Sequence, residues 1–76
     1  MTRIQLANEI RTLETEISML EQKRSRSQAA LLDAILDGTE PAQDDADFFR
    51  VFTAEIEFKR EKLKELYKKR GKYKNN

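Results

Sequence analysis

Hydrophobic positions in the first half of the chain recur at alternating intervals of four and three: Leu6, Ile10, Leu13, Ile17 and Leu20. That spacing gathers them on one stripe of an α-helix, as the a and d positions of a heptad. The register runs on through polar Arg24 and Ser27, then turns apolar again at Leu31 and Ala34, where Leu32, Ile35 and Leu36 widen the face. Thr2 and Gln5 stand at capping-box spacing, so a helix is expected to begin at residue 2. Asp37-Gly38 supplies its stop, because glycine enters the left-handed conformation without a Cβ clash, and the sole proline follows at position 41. The first helix, expected over residues 2–37, is roughly 50 Å long at about 1.5 Å per residue.

A loop is expected over residues 38–44, and Asp44, Asp45 and Asp47 fall where a helix N-terminus favours negative charge. A second heptad-spaced set follows: Phe49, Phe52, Ile56, Leu63, Leu66 and Tyr73, interrupted by polar Lys59 and Arg70 and flanked by Phe48, Val51 and Tyr67. This predicts a helix over residues 45–71, ended by Gly71. Residues 72–76 carry too little apolar surface to be held and are expected to fray.

At 76 residues the chain is one small domain. The expected fold is all-α, an antiparallel, coiled-coil-like hairpin of two helices. Folding it about the loop sets residues whose numbers sum to about 81 side by side. Ile17 then lies near Leu63, Leu13 near Tyr67, Leu31 near Phe49 and Arg24 near Glu57. Arg24 and Ser27 thereby face the stretch Ala54 to Glu57 as one shared polar layer. A single hairpin buries one stripe per helix and leaves the broad face around Leu31, Leu32, Ile35, Phe48, Val51 and Phe52 in water. Self-association into a homodimeric four-helix bundle covers such a face most economically, since twofold dimers are the commonest soluble assembly. Another protein is the competing cover. The self-association or partner face expected on this reading comprises Leu6, Ile10, Leu13, Ile17, Leu20, Leu31, Ile35, Phe48, Phe49, Phe52, Ile56, Leu63 and Leu66.

A net charge of +1 conceals two opposed blocks. Between Asp33 and Glu57 there are eight acids and one base, Arg50; between Lys59 and Lys74 there are nine bases and two acids. The loop end of the hairpin is therefore acidic and the open end basic. An antiparallel pair of hairpins sets each acidic loop against the partner's basic end, an arrangement that settles orientation more than affinity.

The basic block also reads as a nucleic-acid footprint. Arg60, Lys64 and Lys68 follow one another at helical i, i+4 spacing, Lys69, Arg70 and Lys72 extend the charge, and Tyr67 and Tyr73 offer rings for stacking on bases. A sequence pI near 8.0 falls short of a dedicated nucleic-acid domain, and a solvated or dimer-complementing face is the stronger expectation, ahead of nucleic acid and of an anionic membrane surface. Phe48-Phe49-Arg50-Val51-Phe52 reads first as the wide end of a core and second as a binding anchor.

Catalysis is not expected. The chain has no histidine and no cysteine, hence no ordinary general base, nucleophilic thiol or zinc ligand set. Its two glycines stand apart and form no phosphate-binding loop, and Asp44, Asp45 and Asp47 lack the glycine and glutamate of a calcium loop. No cofactor, metal or small-molecule substrate is expected, nor a membrane span, and the location expected is the cytoplasm. The function that follows is that of a non-catalytic protein-interaction module, an adaptor, small chaperone, assembly factor or inhibitor. The alternative is a small nucleic-acid-binding accessory or regulator.

Overall fold

A computed structural model describes residues 1–74 and consists of two helices, α1 (Arg3–Leu36) and α2 (Gln43–Lys74), packed antiparallel in a hairpin of 59 × 16 × 14 Å. The N-terminal signal operates as its residues imply. The backbone N–H of Gln5 donates to Thr2 Oγ1 at 3.1 Å while the N–H of Thr2 donates to Gln5 Oε1 at 2.9 Å, so each side chain satisfies a free backbone donor.

The far end of α1 closes in a Schellman arrangement. Thr39 N–H donates to the Ala34 carbonyl at 2.9 Å and Gly38 N–H to the Ile35 carbonyl at 3.1 Å, around Gly38 at φ 72°. That left-handed backbone is where the absent side chain matters, because a Cβ there meets the neighbouring carbonyl oxygen. The chain then needs only residues 37–42 to turn. The Ala42 carbonyl accepts from the N–H groups of Asp45 and Ala46, and α2 begins at Gln43 instead of residue 45, with Asp44 and Asp45 in its positive first turn.

Gly71 does not end α2, which continues through Lys72 to Lys74. Residues 72–74 of the tail expected to fray are helical; residues 75 and 76 lie outside the described residues. Tyr73, the last member of the second heptad-spaced set, holds the last turn. Tyr73 is half-buried against Leu6, Ile10, Leu13 and Leu66, and its hydroxyl donates to the Met1 carbonyl at 2.6 Å. An aromatic ring and one cross-helix hydrogen bond offset the cost of a glycine in the helix.

The two flanks of the seam pair at different sums. Glu21 with Arg60 and Glu14 with Tyr67 keep the expected sum, but Glu16 meets Lys59 and Ile56 packs with Ile17 and Leu20. Ile56, expected on the second apolar stripe, is wholly buried in the core, inside the stretch expected to face Arg24 and Ser27. The stretch Ala54 to Glu57 is therefore not the partner of a polar layer. Arg24 is half-buried, Glu57 is exposed, and no ion pair joins them among the described residues. The polar level lies one turn nearer the loop. Ser27 is buried, with its hydroxyl donating weakly to the Lys23 carbonyl at 3.5 Å, and the buried Oγ1 of Thr53 has no hydrogen-bond partner among the described residues.

All buried apolar residues described lie on the open-end side of this level: Leu6, Ile10, Leu13, Ile17 and Leu20 from α1, Ile56 and Leu66 from α2. Leu63 bridges the two clusters they form. Between Ser27 and Asp47 no residue is apolar and buried. The hairpin is thus welded at its open half and only loosely covered at its loop half.

Candidate interaction faces

The seam residues Leu6, Ile10, Leu13, Ile17, Leu20, Ile56 and Leu66 are consumed within the hairpin and leave almost no surface for a partner. Leu31, Phe49, Phe52 and Leu63 are half-buried. Of the expected face, only Ile35 and Phe48 stand open, at 63% and 52% exposure. Phe48 lies over Phe52 with ring centroids 5.9 Å apart, a stacked pair along one flank of α2.

Two exposed apolar patches flank the weakly filled half. Leu32, Ile35 and Leu36 form one on α1; Phe48 and Val51 form the other on α2, whose row runs on to Phe58, 71% exposed, at the height of the buried core. Helical spacing explains the second, since Val51 and Phe58 are seven apart and Phe48 precedes Val51 by three. Sequence reasoning missed Phe58 and the exposed Met19 because neither belongs to the inner stripe. The signal that finds Phe58 is a second apolar row at heptad spacing beside the first.

Ion pairs rim the seam on both flanks. Lys59 Nζ lies 2.8 Å from Glu16 Oε2 and Arg60 lies 2.8 Å from Glu21 Oε2. Tyr67 donates its hydroxyl to Glu14 Oε2 at 2.7 Å while the Arg70 guanidinium covers its ring, 4.7 Å from the centroid. Glu14, as a charged acceptor, holds the Tyr67 phenol above its ordinary pKa, with partial desolvation adding to the effect and Arg70 opposing it. At the start of α2, Asp47 is engaged by Gln43 at 3.0 Å and Arg50 at 2.9 Å.

These contacts divide the residues set out for nucleic acid. Arg60 is held by Glu21, Arg70 by the ring of Tyr67, and Lys68 loosely by Glu65 at 3.4 Å. Lys64, Lys69 and Lys72 are exposed and make no ion pair among the described residues. Tyr73 faces the seam and Tyr67 has one ring face covered, so the two do not form a stacking platform.

The grooves along the hairpin are shallow and open. The one at the open end is walled by Met1, Leu6, Lys69, Lys72 and Tyr73, and another lies between Glu9, Thr12 and Glu16 of α1 and Phe58 and Lys62 of α2. No helix among the described residues is long and apolar enough to cross a membrane. Comparison with protein-family models, with curated proteins and with solved structures finds no match to this chain.

Proposed function

We propose that this chain is a non-catalytic interaction module of the cytoplasm that associates with itself, as a homodimeric four-helix bundle, and through the assembled surface with another protein. One observation carries the reading: the half of the hairpin that has no buried apolar core still carries large exposed apolar side chains. Leu32, Ile35, Leu36, Phe48 and Val51 are each more than half exposed there. Burial returns roughly 25 cal/mol per Å² of apolar surface, so covering the α2 patch by a second copy, and the α1 patch by another protein, favours association. Sedimentation equilibrium tests it: at micromolar concentration the mass is expected to be twice the 9.0 kDa of the chain. A compact 9.0 kDa species with undiminished helicity overturns the self-association.

A second reading rests on a separate observation, the exposed Lys64, Lys69 and Lys72 at the basic end, which make no ion pair among the described residues. Under it, the protein retards RNA or DNA at low salt, and replacing Lys68, Lys69, Arg70 and Lys72 with glutamine makes the salt dependence of binding shallower, because fewer phosphates release counterions. No retardation at about 50 mM salt, where such contacts are strong, removes this reading.

A further inference from the structure

The outer flank of the hairpin carries a pattern that the seam does not use. On α2, Asp44, Phe48, Val51, Glu55, Phe58 and Lys62 follow one another at intervals of four and three, and Glu65, Lys69 and Lys72 continue the row. On α1 the corresponding row is Glu9, Thr12, Glu16, Met19, Lys23 and Arg26. The two rows lie on the same flank, because Glu9, Thr12 and Glu16 share one groove with Phe58 and Lys62, and Glu16 pairs with Lys59 beside Phe58. Each row is a heptad stripe in its own right, and both are exposed or half-exposed.

Both rows have an apolar residue at the middle of their helix. Met19 divides α1 (Arg3–Leu36) and Phe58 divides α2 (Gln43–Lys74), and they are 54% and 71% exposed. Charge changes sign across each midpoint. Before Met19 stand Glu9 and Glu16, after it Lys23 and Arg26; before Phe58 stand Asp44 and Glu55, after it Lys62, Lys69 and Lys72, with Glu65 the one exception. A row that is acidic before its centre and basic after it is complementary to its own copy reversed.

We infer that this flank is the homodimer interface, with a second copy lying antiparallel across it and the twofold axis passing between Met19 and Phe58. The inference rests on the self-association proposed above and names the face, the orientation and the central residues. About such an axis α2 meets α2 of the partner, Phe58 meets its equivalent, Glu55 falls opposite the partner's Lys62 and Asp44 opposite the partner's Lys72. Glu16 of α1 falls opposite the partner's Lys23. A parallel copy also matches the local charges of the rows, α1 against α2, but it sets like poles together. The loop half from Leu20 to Phe58 carries nine acids and four bases, whereas the open half carries eleven bases and five acids. Antiparallel stacking sets each of these against its opposite, and complementary fields of this kind select orientation.

The absence of cysteine makes the test direct, since one introduced thiol reports alone. A disulfide needs Cβ atoms about 3.5–4.5 Å apart, a separation that two copies of one residue reach only beside the axis. Phe58→Cys, at a position more than two-thirds exposed, leaves the hairpin seam intact, and helicity by circular dichroism confirms that. Under mild oxidation it is expected to give a disulfide-linked dimer at least tenfold faster than Leu36→Cys on the other patch. Mixed with Met19→Cys, it is expected to prefer its own kind. Preferential Met19-to-Phe58 linkage means a parallel pair and overturns the orientation. Faster linkage at Leu36, or equal rates at the two sites, overturns the face. A thiol-independent check guards against a weakened interface: Glu55→Lys is expected to weaken dimerisation and Glu55→Lys with Lys62→Glu to restore it, whereas equal weakening by both overturns the pairing. If sedimentation shows a dimer and Phe58→Cys fails to link, only this inference falls; if the unmodified chain is monomeric, the self-association falls with it.

Discussion

The environment of the Tyr67 hydroxyl raises its pKa, and its partner Glu14 gives the shift a structural meaning. The pKa is raised in the folded hairpin, so the neutral phenol is the favoured form there. The contribution is fully present below the unfolded value of about 10 and is lost as pH rises through the higher folded value. Thermal melts between pH 8 and pH 11, roughly the window around that value, are expected to show an alkaline decline that Tyr67→Phe diminishes. An undiminished decline assigns it to lysine deprotonation instead. Thr53 presents the opposite case: its buried Oγ1 has no hydrogen-bond partner among the described residues. Exchanging the hydroxyl for a methyl of similar size removes a desolvated polar atom, so Thr53→Val is expected to raise stability by about 1 kcal/mol in urea unfolding. A loss of similar size means that the hydroxyl is satisfied by water.

Each helix contains or adjoins one glycine, and the two have different reasons to be there. Gly38 sits at φ 72° just beyond α1, a conformation that penalises any Cβ, although nothing lies within 4 Å of where one would project. Gly38→Ala is therefore expected to cost about 1–2 kcal/mol through backbone strain alone. Gly71 lies within α2, has no positive φ, and likewise has open space where a Cβ would go. Gly71→Ala is expected to stabilise the helix by roughly 0.5–1 kcal/mol, because it lowers the entropy lost on folding. Chemical denaturation of the two variants at one protein concentration gives shifts of opposite sign; a destabilised Gly71→Ala overturns the helical assignment of the last turn. The sequence suggested that Gly71 ends the helix, since local propensity alone cannot register Tyr73 reaching the Met1 carbonyl across the hairpin.

For the whole molecule the decisive feature is where the core stops. Ile56 is fully buried with Ile17 and Leu20, so Ile56→Ala is expected to cost about 2–5 kcal/mol, from lost transfer energy and the cavity left behind. Ile35, 63% exposed in the opposite half, is chemically identical, and Ile35→Ala is expected to change stability by less than about 0.5 kcal/mol. Urea unfolding of the pair at fixed protein concentration checks the contrast. Equal losses mean that Ile35 is covered in the assembled protein by the other face, against the interface assigned to Met19 and Phe58.

The seam of α1 was legible in the residues themselves. A heptad from Leu6 to Leu20, a capping box at Thr2 and a glycine stop at Gly38 are local signals, each complete within a few turns, and α1 follows them within a residue at either end. Two helices on one short loop also imply an antiparallel pair, since no other packing lets both stripes meet. What only tertiary structure decided is register and exposure. Packing set Ile56 in the core beside Ile17 and Leu20, put the polar level at Ser27, and left the buried Thr53 hydroxyl without a partner among the described residues. Whether an apolar residue is core or surface depends on the height at which the other helix offers a matching side chain. Ile35 and Phe48 look as apolar in the sequence as Leu6 and Leu66, yet they remain exposed because they stand beside the stripe that Leu31, Ala34, Phe49 and Phe52 continue, not on it.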